Sequence, residues 1–288
     1  MMEFRAAKCP ECGGDLQVPP DRDVLKCMYC GKDIVVRQAI EQGQAKSVEN
    51  WLRLADAAAE AENQEEAYRY FTKVLEVDTG NSRAWFGKAV AAGWSSNLSQ
   101  NRYTEFIKGI QKAIACAAPE ALKDLREEGA EAANDITLAY FSLSEEHTRE
   151  YAAIDGTWSE HVQRCFDMLA TLPVANVLDP TNKQVLRTGI QIAKSIIEGM
   201  AYEDPYDTDD NGRARHKTHE LSDQAEEEAQ AVLKRFVGNM QALDPTYQAP
   251  TINKVGMSVA TGCFLAFLGL GALGLVVWWI IKTLSGGN

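Results

Sequence analysis

Residues 51–85 read WLRLADAAAEAENQEEAYRYFTKVLEVDTGNSRAW. Trp51, Leu54, Ala55 and Ala58 recur at spacings of three and four residues, and so do Ala67, Phe71 and Val74. That period predicts two amphipathic helices, with Asn63-Gln64 as the turn between them. Ala55 and Ala67 are small residues at which two antiparallel helices can cross closely, and Trp51 and Phe71 fill the space beside them. Trp85 follows Trp51 by 34 residues, and Ala89 and Ala92 then repeat Ala55 and Ala58. A second hairpin of the same kind is expected.

These residues resemble a tetratricopeptide repeat (TPR), whose period is 34 residues. Trp51, Leu54, Ala55, Ala58, Ala67, Phe71 and Val74 stand in order on that family's packing positions. Ala58 replaces the family's aromatic, Val74 its alanine and Thr79 its proline. In the second copy Phe106, Ile110, Ala113 and Ile114 align when about five residues are inserted near Trp94–Gln100, where WSSNLSQN has turn composition. The resemblance covers about residues 47–118. It implies a groove for a partner helix or peptide, facing Glu49, Leu52, Arg53, Asp56 and Ala59. Those residues lack the lysine and asparagine pattern that clamps a terminal carboxylate in some family members.

Beyond residue 118 the helical periodicity continues without the repeat. Leu122, Leu125, Ile136, Tyr140 and Leu143 mark one helix, and Val162, Cys165, Phe166 and Leu169 a second. Leu186, Ile190, Ala193, Ile197 and Met200 mark a third, and Val232 to Leu243 a fourth. Asp179-Pro180 and Asp244-Pro245 read as helix stops. Residues 119–250 are expected to form further hairpins that pack on the repeats.

At the other end, Cys9-Pro-Glu-Cys12-Gly13 and Cys27-Met-Tyr-Cys30-Gly31 lie 14 residues apart. Two sulfurs two residues apart on a tight turn can reach one tetrahedral ion, and two such pairs complete it. Glycine after each second cysteine lets the backbone turn and aim amides at the sulfurs. Short β-prone runs, Leu16–Val18, Val24-Leu25 and Ile34–Val36, surround them, with Pro19-Pro20-Asp21 as a turn. Residues 1–37 resemble a zinc ribbon built on rubredoxin-like knuckles. The resemblance implies structural Zn2+ on Cys9, Cys12, Cys27 and Cys30, and the same ligands also serve iron. Four thiolates leave no open position for a water, so catalysis at the metal is not expected.

The last deciding run is Met257–Ile281, 25 residues without a formal charge. As a helix it would rise about 37 Å, enough to span a hydrocarbon layer of ~30 Å. Lys254 and Lys282 bracket it, and Trp278 and Trp279 sit where an interfacial belt would lie. Gly262, Ala266 and Gly269 offer a small-residue face for homo-oligomer contact. The N-terminal residues contain no apolar run and the seven cysteines show no disulfide rhythm. Both favour a single-pass membrane protein with its N-terminal body on the cytoplasmic side.

Net charge is −12, and it is uneven. Residues 1–40 hold six basic and six acidic groups, whereas residues 41–250 hold 21 basic and 35 acidic. Such a body repels nucleic acid, which favours a protein partner. Asp207-Thr-Asp209-Asp-Asn211-Gly212 imitates the opening of a calcium loop, but Thr218 stands where the bidentate glutamate belongs. Residues 207–218 therefore read as a solvated linker. His216 and His219 read as surface residues beside a helix start, and His147 and His161 have no recognised partner. No phosphate loop, nucleophile elbow or HExxH motif is present.

The sequence thus predicts a mainly α protein: a TPR-like helical-repeat body, a small N-terminal β zinc ribbon and one C-terminal transmembrane helix. The expected role is a non-catalytic, membrane-tethered adaptor for a protein partner. The alternative is a membrane-linked nucleic-acid-binding or transcription-regulatory protein that uses the ribbon.

Overall fold

The computed structural model describes residues 5–18 and 22–256. The expected span at 257–281, with Gly262, Ala266 and Gly269, lies outside the described residues, and so does the Pro19-Pro20-Asp21 turn. Among the described residues no helix is long and apolar enough to cross a membrane. The described residues divide into two compact units, one of those up to 140 with 171–185, the other of 141–170 with 186–256.

The first unit starts with two antiparallel hairpins. Strand β1 (Arg5–Lys8) pairs with β2 (Asp15–Val18), and β3 (Val24–Lys26) pairs with β4 (Asp33–Val35). Along β2, Leu16 and Val18 point inward while Asp15 and Gln17 are exposed, the alternation a half-buried strand requires. β1 was not expected from the sequence. Its partner is supplied by β2 across the first knuckle, not by its own apolar pattern.

Helix α1 (Val36–Glu60) begins directly after β4 and runs 25 residues. The sequence predicted a break between a ribbon ending at 37 and repeats starting at 47. No proline interrupts that interval, and Gly43 alone weakens it, at a cost of about 1 kcal/mol. Tertiary contact offsets that cost. Val36 and Ala39 are buried with Leu16, Val18 and Ile34 in the ribbon core. Ala55 and Ala58, on the last turns of the same helix, are buried in the repeat core.

Helices α2 (Gln64–Val77), α3 (Ser82–Trp94) and α4 (Tyr103–Cys116) follow as antiparallel neighbours. Asn63 and Asn81 cap α2 and α3 by accepting the backbone N–H groups of Glu66 (3.3 Å) and Ala84 (3.0 Å). Ala55, Ala67, Phe71 and Val74 are buried together, as the periodicity required. The ring of Phe71 lies directly over Gly87, where any Cβ would come within 2.2 Å of it. The insertion after α3 is real: the loop at 95–102 is five residues longer than the one at 61–63, and α4 starts 39 residues after α2, the repeat period plus five. Phe106, Ile110 and Ala113 are buried, as that register required. α3 and α4 approach closely at Ala89 and Gly109, where a Cβ on Gly109 would meet the Ala89 Cβ at 2.6 Å.

After a 3-10 turn at Pro119–Ala121 come α5 (Leu122–Glu150) and α6 (Thr157–Leu178). In the first unit Ile136 packs against Gly93, and Gly129 sits near Ile110 and Leu178. The stack of hairpins thus continues past the recognisable repeats.

In the second unit α7 (Lys183–Glu198) presents Gly189 to the ring of Phe236 on α8 (Asp223–Leu243). Between them lies what the sequence reading took as a linker. It is a β-hairpin, β5 (Met200–Thr208) with β6 (Ala214–His219), registered Met200↔His219, Tyr202↔Lys217 and Asp204↔Arg215. Met200 thus opens a strand and does not continue the third helix, which the left-handed Gly199 (φ +77°) ends. Asp209 shapes its tip by accepting the N–H groups of Asn211 (2.8 Å) and Arg213 (2.9 Å). His219 is not a free surface residue. It stacks on Tyr202 at 4.5 Å and on Trp158 at 5.6 Å, and its Nε2 donates to the Ala152 carbonyl at 2.7 Å.

Deeper in this unit His161 is buried, with Nδ1 2.9 Å from the Ser144 hydroxyl and Nε2 3.6 Å from the Cys165 sulfur. Burial, aided by Arg164, lowers the imidazole to about 4 from its ordinary 6.5. The depressed value means the unfolded chain binds the proton more readily. The stability from neutral His161 is complete above pH 6.5 and is lost as pH falls toward 4. Between those limits folding should weaken by ~1 kcal/mol per pH unit, to a total near 3 kcal/mol. His161→Phe should flatten that part of the curve in denaturant melts taken across the range. Separately, Gly109→Ala should lower the urea midpoint. The methyl gains about 1 kcal/mol of helix propensity but forces α3 and α4 apart, an overpacking cost of ~1–3 kcal/mol.

Candidate metal centre and basic cleft

The ribbon's two knuckles have matching backbones. Cys9 N–H donates to the Gly14 carbonyl (2.8 Å) and Gly13 N–H to the Cys9 carbonyl (2.9 Å). Cys27 N–H likewise donates to Lys32 (2.8 Å) and Gly31 N–H to Cys27 (2.9 Å). Gly13 and Gly31 take φ of +75° and +74°, a left-handed turn that a Cβ would strain. The knuckle turns aim amides at the sulfurs, as the sequence reading expected: the amide of Tyr29 reaches the Cys27 sulfur at 3.4 Å. The Tyr29 ring lies on Gly14.

Between the knuckles the four sulfurs of Cys9, Cys12, Cys27 and Cys30 lie within 4.8 Å of one another. Cys9–Cys30 and Cys12–Cys27 are 3.8 and 3.7 Å apart. A tetrahedral ion with metal–sulfur bonds of ~2.3 Å has edges of about 3.8 Å, so the donor set fits such an ion. The thiols also show why a cation belongs there. The amide of Cys30, with that of Tyr29 and against burial, lowers Cys27 to about 6. Cys12 moves the other way: the Gly14 amide favours its thiolate, but burial and hydrogen bonds with the other three sulfurs push it up to about 12. Four adjacent sulfurs cannot all ionise without a positive charge among them.

The other histidines and acids considered from sequence do not assemble. His216 is 3.7 Å from Glu203, and Asp207 is matched by Lys217 (3.0 Å) and Arg215 (3.3 Å). The aspartates of the imitated calcium loop are thus committed to the hairpin. On the groove positions implied by the repeat, Asp56 pairs with Arg83 (2.5 Å) and Arg53 donates to Asn50 (3.0 Å).

A second feature was missed in the sequence. A cleft of about 530 Å³ opens between α3 and α4 beside the 95–102 insertion, lined by Trp85, Lys88, Arg102, Glu105, Lys108 and Lys112. Its small floor residues are Ala89 and Gly109, the pair at the helix crossing. Arg102 grips the Glu105 carboxylate with two nitrogens, at 2.9 and 2.7 Å, and Tyr68 donates its hydroxyl to the other oxygen at 2.6 Å. These bonds outweigh burial and hold the Glu105 carboxyl below its ordinary range. Lys88 lies over the faces of Tyr68 (4.8 Å) and Trp85 (5.9 Å). The signal was available: Lys108 and Lys112 are one helical turn apart in an acidic segment.

No protein-family model matches the chain. None of the curated proteins matches it either. Among solved structures it is similar to YrrB, described as a TPR protein with an unusual peptide-binding site. That likeness has 11% identity over 73% of this chain and 93% of that one, with a TM-score of 0.26. It is also similar to the MamA protein, with 9% identity over 72% of this chain and 99% of that one, and a TM-score of 0.26.

Purified protein is expected to carry about one thiophilic ion per chain by mass spectrometry of the metals. Cys27→Ser or Cys30→Ser should remove nearly all of it and open the ribbon to limited proteolysis.

Proposed function

We propose that the chain is a membrane-tethered, non-catalytic adaptor whose helical stack holds a protein partner. The observation that carries this reading is the open cleft between α3 and α4, built from groups suited to binding and set on packed helices. Its lining holds no thiol or histidine, and the one carboxylate, Glu105, is engaged by Arg102 and Tyr68. The buried Cys165–His161 contact supports the same reading from the other side. Burial pushes the Cys165 thiol up and keeps His161 neutral, so the pair is closed to a substrate and poorly suited to attack.

The four-sulfur cluster is read as a structural Zn2+ site. Four thiolates saturate a tetrahedral ion, and the metal would supply much of the folding free energy of so small a ribbon. Residues 257–281 are read as the anchor, on charge and length alone. Holding the body at a bilayer would raise the local concentration of whatever the cleft binds.

The anchor is tested by fractionation. The full chain should pellet with membranes, withstand high salt and be released by detergent, while a form lacking 257–281 should stay in the supernatant. Full-length protein in the detergent-free supernatant would overturn the tethered reading. In-membrane crosslinking of the full chain should join residues of α3 or α4 to a second protein; crosslinks to lipid alone would overturn the adaptor reading.

A further inference from the structure

We infer that the α3–α4 cleft binds an extended acidic segment of a protein partner, with carboxylates at alternate positions. This deepens the adaptor reading and rests on it. The first argument is charge. The chain carries −12 overall, yet Lys88, Arg102, Lys108 and Lys112 converge on one cleft whose lining has a single carboxylate, Glu105. That carboxylate is consumed by Arg102 and Tyr68. Among the described residues none of Lys88, Lys108 and Lys112 has an ion-pair partner, whereas Lys32, Lys194, Lys217 and Lys254 each do. Lys88 also acts on Glu105 and on two rings, so the charge left over is chiefly that of Lys108 and Lys112, and it favours an anionic occupant.

The second argument is spacing. Lys108 and Lys112 are neighbours on one face of α4, with side-chain origins about 5–6 Å apart. In an extended peptide residues i and i+2 point the same way and lie ~6.7 Å apart. Acids at i and i+2 can thus meet both lysines, while residue i+1 turns toward the opposite side, where Trp85 lies. Trp85 is held for that contact, because its indole N–H donates to the Thr79 carbonyl at 2.9 Å. A ring already fixed loses little freedom on binding. The volume, about 530 Å³, suits a short peptide stretch and greatly exceeds an inorganic anion. Nucleic acid fits less well, since the surplus of acids in residues 41–250 repels a long polyanion. None of these cleft residues coincides with the groove positions implied by the repeat, Glu49, Leu52, Arg53, Asp56 and Ala59.

The test uses the full chain in detergent micelles and fluorescence anisotropy at low salt. The probe is a labelled Glu-Leu-Glu-Leu-Glu-Leu peptide. The comparison probes are its glutamine counterpart, the block peptide Glu-Glu-Glu-Leu-Leu-Leu, and a thymidine hexanucleotide. The alternating acid is expected to bind at least tenfold more tightly than each comparison probe. K108Q/K112Q should weaken it at least tenfold, and K73Q, away from the cleft, should leave it unchanged. Both lysines are exposed, so the double variant should keep its thermal midpoint; Lys88→Met is a second variant with the same expected direction. Equal binding of the glutamine or block peptide, tighter binding of the hexanucleotide, or indifference to both cleft variants would each overturn the inference. If the probe fails while the chain still crosslinks to a protein partner, only the cleft assignment falls. If no protein partner is crosslinked, the adaptor reading falls with it.

Discussion

Helix α1 belongs to two hydrophobic cores, and the first unit is organised by that fact. Val36 and Ala39 close the ribbon, and Ala55 and Ala58 close the first hairpin of the body. Neither core is large. A ribbon of four short strands buries too little to be stable alone, and the repeats need neighbours to cover their faces. A continuous helix couples the two. Metal at the cysteines would tighten the turns that present β2 and β4 to Val36, and packing of Ala55 against α2 holds the far end. Gly43 is tolerated mid-helix because both flanks are anchored, and Ser47 bonds back to its carbonyl at 3.0 Å.

Close helix contact in this body is set by small residues at a few crossings. Gly87 admits the ring of Phe71, and Gly109 lets α4 approach Ala89. The second crossing has a consequence for binding. Bringing α3 and α4 together at Ala89 and Gly109 leaves the longer side chains to either side, Trp85, Lys88, Lys108 and Lys112, standing around a shallow floor. The insertion at 95–102 closes one end and brings Arg102 against Tyr68, with its guanidinium 4.5 Å from the ring. The cleft is thus a by-product of the register that packs the core.

How much of this was legible depended on whether the signal was local. The first hairpin could be read because Ala55, Ala67 and Phe71 recur at the helical period, and the sulfur cluster because its ligands come in pairs with fixed spacing. The hairpin at 200–219 escaped because charged residues occupy both of its faces, so apolar alternation is absent. Asn211-Gly212 was a turn signal nonetheless. Its anchor, His219 stacked on Trp158, joins residues 61 positions apart and leaves no trace in a sequence window. The second hairpin was legible despite its insertion, because Phe106, Ile110 and Ala113 keep the helical period. The cleft needed three dimensions to bring Lys88 beside Lys108, which lie on different helices.

The cysteines show why spacing alone assigns one kind of site and not another. Cys27 and Cys165 are both buried thiols. Around Cys27 the knuckle turns backbone N–H groups toward sulfur, and these favour the thiolate more than burial opposes it. Around Cys165 helix α6 directs its N–H groups to its own carbonyls, so burial goes unopposed and the thiol stays protonated. A thiolate is what binds metal or attacks carbon. The difference between ligand and packing residue is therefore made by the backbone each sulfur sits on. A helix satisfies its amides internally, whereas a glycine-ended turn leaves some to spare. The same reasoning separates the lysines: Lys217 is saturated by the two aspartates of its hairpin, while Lys108 and Lys112 share their cleft with one carboxylate, Glu105, that Arg102 and Tyr68 already engage. In this chain an unused donor or charge, held in place by packing, is the common mark of both candidate sites.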